Sequence, residues 1–272
     1  FTFAPLTTYT IVIMDASILY QFSEGVATLT LHRPQVYNSF NREMALRLIG
    51  HLEACAADPA VRAVLITGAG KAFCAGQDLQ EVVDPQGPSL TNILKEHYNP
   101  IILAIRRMEK PVICAVNGVA AGAGANIALA CDITLAAASA SFIQAFSKIG
   151  LIPDSGGTFF LPRIIGFQKA LALAMTGDRI NATDAELLGM IYKVLPDEYL
   201  EEESKRLALT LAQMPTAALG FTKRAFNASM TNNLETQLQL EETLQTTAGQ
   251  TEDFQEGVRA FIEKRKPVFK GK

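Results

Sequence analysis

Hydrophobic and polar positions alternate through "DASILYQFSEGVATLTLHRP" (15–34), and Glu24-Gly25 interrupts the alternation at its middle. Two β-favouring runs about such a turn predict a hairpin. Further along, "VRAVLITG" (61–68), "KPVICAVNG" (110–118) and "CDITLAA" (131–137) are apolar runs closed by glycine or small residues, which reads as buried strands. Helical spacing or composition marks "NREMALRLIGHLEACAAD" (41–58), "SLTNILKEHYNPIILAIRRMEK" (89–110) and "GAGANIALA" (122–130), with a break or kink expected at Asn99-Pro100. This succession of β and α units predicts an α/β domain.

After roughly residue 197 the strand pattern stops. "DEYLEEESKRLALTLAQM", "PTAALGFTKRAFNASM", "NLETQLQLEETLQTTAG" and "TEDFQEGVRAFIEKRK" follow one another as amphipathic helices. The division expected is therefore a core over 14–196 and a helical region over 197–272, its apolar faces docked on the core or on another subunit. At the other end, "FTFAPLTTYTIVI" lacks an initiating Met and a basic n-region, so it makes a poor signal peptide. Met14 is read as the natural start and residues 1–13 as a non-native extension.

Composition narrows the function. The chain has 272 residues, 49% of them hydrophobic, enough for one large core. Charged residues make up 19% and the net charge is −3, which argues against a nucleic-acid partner. No apolar run reaches membrane-spanning length without a polar break. The cysteines, Cys55, Cys74, Cys114 and Cys131, form no CxxC pair, and only three histidines accompany them. Free buried thiols in a reducing cytoplasm, and no metal site, are expected.

The glycine-rich segments fit nucleotide motifs poorly. "TGAGKAF" (67–73) lacks the Walker spacing, and in "NGVAAGAGANIALACD" (117–132) Ile127 stands where the third glycine of GxGxxG belongs. A strand–glycine loop–helix still offers main-chain N–H groups to a phosphate or an oxyanion. Alternatively, Gly122 and Gly124 serve only close helix packing. A comparable ambiguity surrounds Asp154, the one acidic residue in "KIGLIPDSGGTFFLP" (148–162): it is either a catalytic carboxylate or, with Ser155, the N-cap of a following helix.

Taken together, "GAGKAFCAGQDL" (68–79), "KPVICAVNGVAAGAGANIALACDI" (110–133) and "SFIQAFSKIGLIPDSGGTFFLPRIIG" (141–166) resemble the crotonase superfamily, the enoyl-CoA hydratase/isomerase proteins. The resemblance runs from about Met14 to the C-terminus. It implies an α/β fold, a crotonase-type spiral of ββα repeats with a C-terminal helical region, assembled as trimers or dimers of trimers. It also implies an acyl-CoA thioester substrate, with coenzyme A as part of the substrate and no separate cofactor. Two backbone N–H groups that hold the thioester oxygen in the family fall on Gln77 and Ala123; being main-chain donors, they tolerate a change of side chain.

The resemblance also identifies what is missing. The two glutamates with which hydratases hold water fall on Asn126 and Phe146. Neither exchanges a proton, so both are expected to line the acyl pocket, along with His97 and Tyr98. Asp154 stands where isomerase and dehalogenase members place their acid. One carboxylate suffices to lift a proton from one carbon and return it to another, and desolvation would strengthen it as a base. The motifs lie nearest the family's isomerases of phenylacetate catabolism, implying conversion of ring-1,2-epoxyphenylacetyl-CoA to the oxepin. Alternatives are a Δ3/Δ2 double-bond shift on an enoyl-CoA, hydration, and nucleophilic attack by Asp154 with His97 as base. An RNA-associated role, known in one branch, has no support in the net charge. For coenzyme A the matching positions are Gln35 and Val36, with Gln35 where a lysine often stands, then Ala75, Asp78 and Leu79, and Phe261 and Lys264 reaching a neighbouring subunit's ligand.

Overall fold

In the computed structural model, which describes residues 11–14 and 17–272, strand β1 (Ile11–Met14) lies beside the predicted hairpin, β2 (Ile18–Ser23) and β3 (Val26–Leu31). Glu24 and Gly25 form its turn with φ of 51° and 81°, the second at no steric cost to glycine. Of the extension expected over 1–13, residues 1–10 lie outside the described residues, and Ile11, Val12 and Ile13 pair with Phe22, Gln21 and Tyr20.

Beyond the hairpin, each stretch of chain gives one strand to a large sheet and the next to a small one. The pairs are β4 (Ala63–Gly68) with β5 (Ala72–Cys74), β6 (Val112–Val116) with β7 (Val119–Ala121), and β8 (Ile133–Ala137) with β9 (Ser141–Ile143). Strands β10 (Arg179–Asn181) and β11 (Lys193–Leu195) complete the small and the large sheet, whose orders are β10-β9-β7-β5 and β1-β2-β3-β4-β6-β8-β11. From β3 to β11 the large sheet is parallel, and β6 is buried along its whole length. This explains why its strands read as continuous apolar runs and not as alternation. The expected spiral of ββα repeats is the architecture found.

Helices connect the strands. α1 (Arg42–Ala57) follows β3, capped by the Asn41 side chain, which accepts from Met44 N–H. After β5 come α2 (Leu79–Val83), α3 (Leu90–Asn92), a π-helical stretch Ile93–Tyr98 and α4 (Asn99–Arg107). The break expected at Asn99-Pro100 takes another form: the helix runs on, and the turn before proline widens so that Asn99 N–H donates to Leu94 O. The wider turn takes up the ladder that Pro100, without an N–H, cannot continue. α5 (Ala123–Ala130) joins β7 to β8, and every residue in it is buried. α6 (Gly157–Ile165) and α7 (Phe167–Thr176) follow β9, and α8 (Ala182–Leu187) precedes β11.

The four amphipathic segments become α9 (Leu200–Ala212), α10 (Thr216–Ser229), α11 (Leu234–Ala248) and α12 (Glu252–Ile262). α9 lies across β3, β4, β6 and β8. α10 is fastened to the core by Lys223, whose ammonium donates to Asp132 at 2.7 Å and to Ile105 O at 2.7 Å. Asp132 also accepts from Arg106 and from Val112 N–H. α12 is clasped by the chain's last residues, since the Asp253 carboxylate accepts from the N–H groups of Lys270 and Gly271. All four cysteines are free and buried, as expected from their apolar neighbours.

Candidate active site

Strands β5, β7 and β9 run parallel, so their C-terminal ends lie at one edge of the small sheet. The loops leaving that edge carry Gln77, Ala123 and Phe146, which brings distant parts of the sequence to one place. Gly76 O accepts from Phe40 N–H at 2.7 Å, and Asp78 N–H donates to Phe40 O at 2.8 Å. In a trans peptide C=O and N–H point opposite ways, so anchoring Gly76 O turns the Gln77 N–H away from Phe40. Among the described residues that N–H has no main-chain or side-chain acceptor. The same holds for Ala123 N–H, which opens α5 ahead of the intrahelical ladder.

The two loops touch. A Cβ on Gly76, whose φ is 94°, would stand 3.0 Å from Ala121 O and 3.5 Å from Ala123 N. Only glycine adopts that backbone cheaply while leaving the approach open. Two N–H donors without protein partners among the described residues thus lie on touching loops, an arrangement chemically suited to an oxygen that gains negative charge.

Asp154 is held by its main chain. Its carbonyl accepts from Gly157 N–H and from Asn126 Nδ2, both at 2.8 Å. Among the described residues its carboxylate accepts one bond, from Ser155 Oγ at 2.7 Å. The expected capping role is corrected here: the N-cap of α6 is Gly156 with φ 76°, and no helix N–H reaches the Asp154 side chain. Left-handed Ser155 and Gly156 turn the chain before the helix begins, which leaves the carboxylate available. Burial raises its pKa above the usual aspartate value, and the Ser155 hydroxyl opposes that rise by binding the charged form.

Asn126 is fully buried on α5 and bonded at both ends of its amide, donating to Asp154 O and accepting from Gln144 Nε2 at 2.8 Å. A Cβ on Gly157 would collide with Asn126 Nδ2, so α6 starts directly against this amide. Phe146, also buried, lies over the glycine loop, 3.8 Å from where a Cβ of Gly122 would be. Tyr98 is buried edge-on to Phe40 with ring centroids 6.0 Å apart, and its hydroxyl donates to Gln77 Oε1 at 2.9 Å. Burial, and then nearby charges that include Asp154, push the Tyr98 phenol well up.

His97, expected to line the pocket, is fully buried, and among the described residues neither ring nitrogen has a partner. Burial lowers its pKa, and the charges of Glu81, Arg42 and Glu96 act on it as well.

The residues expected at coenzyme A divide into two groups. Gln35 and Val36 form a short turn that Arg33 ties to Asp78 at 2.9 Å, and Ala75 N–H donates to Tyr37 O. This places Gln35, Val36, Ala75, Asp78 and the half-exposed Leu79 on one rim beside the Gln77 loop. Asp78 is also the N-cap of α2. Phe261 and Lys264 are exposed on the last turn of α12 and just beyond it. The tail that follows them packs at Gly25 and Arg62, at the opposite end of β3 and β4 from the Asp78 rim. Within one chain they do not join the rim. Ser155, Gln144 and Glu81 are site neighbours that the motifs contain but that no local pattern distinguishes. Among the described residues no group of three or more His, Cys, Asp or Glu side chains is gathered for a metal ion, and no helix is long and apolar enough to cross a membrane.

Comparison with known proteins identifies the family. Residues 21–272 match the family described as enoyl-CoA hydratase/isomerase. The chain is 50% identical over 258 residues to the 1,2-epoxyphenylacetyl-CoA isomerase of Escherichia coli, covering 94% of this chain and 98% of that protein. It is 40% identical to the trans-2-decenoyl-[acyl-carrier-protein] isomerase of Streptococcus mutans, covering 94% and 98%. The crystal structure of an enoyl-CoA hydratase from Bacillus anthracis superposes with a TM-score of 0.85 at 33% identity, covering 97% of this chain and 99% of that one.

Proposed function

Starting from a chain that belongs to the enoyl-CoA hydratase/isomerase family, we propose that it is an acyl-CoA isomerase converting ring-1,2-epoxyphenylacetyl-CoA to the oxepin. The observation that carries this reading is the lone, partly desolvated carboxylate of Asp154, with Asn126 and Phe146 where a hydratase keeps its acids. Asp154 takes the proton at C2. The enolate charge that develops on the thioester oxygen meets the Gln77 and Ala123 N–H groups, which stabilise it more than they stabilise the ground-state carbonyl, each by about 3 kcal/mol. Electrons returning from the enolate open the epoxide toward the seven-membered ring, and Asp154 returns a proton. No water is activated, and no cofactor is needed beyond the coenzyme A of the substrate.

The rim of Gln35, Val36, Ala75, Asp78 and Leu79 is assigned to the coenzyme A moiety. Exposed Phe254, Phe261 and Ile262 on α12 are assigned to contacts with a neighbouring subunit of a trimer or pair of trimers in the cytoplasm. The Streptococcus relative favours one second reading, a double-bond shift, which uses the same base and the same donors. A paired assay decides: ring-epoxidised phenylacetyl-CoA and a 3-enoyl-CoA, each with the parent enzyme and with Asp154→Asn. Turnover of the epoxide that disappears in the variant supports the proposal. Absence of turnover on both substrates by the parent overturns it.

A further inference from the structure

The side chain of Gln77 is not free to vary as a main-chain donor would allow. Its amide is bonded at both ends: Oε1 accepts from the hydroxyl of buried Tyr98 at 2.9 Å, and Nε2 donates to Glu81 Oε2 at 2.8 Å. Glu81 in turn accepts Arg42 N–H on its other oxygen at 2.8 Å, which ties α2 to the start of α1. Gln77 thus spans from a core residue packed on Phe40 to the first turn of α2. The residue before it is Gly76, with φ 94°, the most permissive backbone in the loop.

We infer that Tyr98, the Gln77 side chain and Glu81 form a strut that fixes the direction of the Gln77 N–H, making Tyr98 and Glu81 positioning residues of the oxyanion site. The inference rests on the reaction proposed above only in that a thioester carbonyl lies against that N–H. Bonding of Gly76 O to Phe40 fixes one edge of the Gly76–Gln77 peptide. The Asp78 N–H bond to Phe40 O holds the chain on the other side of Gln77, and the strut adds a third hold at the far end of the side chain. A donor displaced by a fraction of an ångström loses its advantage for the developing oxyanion, because that advantage depends on preorganised direction. Tyr98 has 1% of its surface exposed, so it acts through Gln77 and not on substrate.

The test reads carbonyl polarisation directly. Phenylacetyl-CoA carrying a 13C-labelled thioester carbonyl is bound to the parent enzyme and to Tyr98→Phe, Gln77→Met, Gln77→Glu and the double variant Gln77→Glu with Glu81→Gln. Infrared difference spectra record the shift of the carbonyl stretch, while kcat, KM and thermal midpoints are measured in parallel. The strut predicts a smaller downshift in Tyr98→Phe and Gln77→Met, with KM nearly unchanged and kcat lower by about 3- to 10-fold, the worth of one hydrogen bond. The double variant rebuilds the strut in reverse. The carboxylate introduced at position 77 accepts from Tyr98, and the amide introduced at position 81 donates to that carboxylate while still accepting from Arg42 N–H. It is expected to regain part of the downshift lost in Gln77→Glu alone. A parent that polarises the carbonyl, with variants that polarise it equally, overturns the strut and leaves the reaction standing. A parent that leaves the carbonyl unshifted overturns both.

Discussion

Replacing Asp154 with Asn keeps the side chain's shape and its acceptor for the Ser155 hydroxyl, and removes its ability to take a proton. Loss of a positioned base lowers kcat by about 10²- to 10⁴-fold, or about 3–5 kcal/mol of barrier. The same change is expected to stabilise the fold. Burial raises the Asp154 pKa above the ordinary 3.8, so between that value and the raised one the folded chain holds a proton that the unfolded chain has released. Stability attributable to Asp154 is therefore fully present below pH 3.8 and is lost as pH rises through the folded value. Asn has no such cost of ionisation. The variant should match the parent in acid and exceed it above the window, by about 1.4 kcal/mol for every tenfold change in proton affinity that burial imposes. Denaturant midpoints for both proteins across the acid-to-neutral range, with turnover of the epoxide substrate, measure the two effects together. A parent-like rate in Asp154→Asn refutes the base. A stability difference that is the same at every pH refutes desolvation as the source of its strength.

Other buried polar groups supply further tests. His97→Leu removes two ring nitrogens without partners and should raise stability by up to about 1–3 kcal/mol while leaving kcat unchanged; denaturation and turnover assays check both. Because burial lowers the His97 pKa, the parent should also lose stability as pH falls below 6.5, and the variant should lose less, which midpoints on either side of that value would reveal. Lys223→Met leaves Asp132 paired with Arg106 alone and frees two carbonyls, Ile105 O and Lys110 O, so it should cost about 3 kcal/mol and loosen α10, read as early hydrogen exchange there. Asn126→Asp replaces the donor to Asp154 O with an anion, which should lower kcat and move the acid limb of its pH profile upward, since a nearby negative charge makes Asp154 harder to ionise.

Much of the architecture is legible in the sequence because parallel strands buried on both faces leave unbroken apolar runs, as in "VICAV" of β6. Strands β5, β7, β9 and β10 leave no such trace: each has three residues, too few to establish any period. The first three carry the loops of the site, so its residues are found through motifs and its geometry is not. Asp154 stands out by its isolation, yet its local sequence suggests a cap, because "PDSGGT" contains cap-forming residues. The left-handed backbone at Ser155 and Gly156 starts the helix later than composition implies. The motif around Gln77 points to its N–H alone. Its side-chain role depends on Tyr98, a residue 21 positions away that closes the widened turn before Pro100.

The doubly bonded amide of Asn126 bears on how members of this family can exchange activities over time. Glutamate at this position would give up the donor to Asp154 O, face Gln144 with a longer side chain, and press on Gly157, where even a Cβ has no room beside the present amide. One substitution toward a second carboxylate therefore disturbs the setting of Asp154 before it adds a new acid. Gly157 is already the smallest residue, so relief has to come from position 144, and positions 126 and 144 form an epistatic pair. Lineages that cross between proton transfer and hydration are expected to change them together.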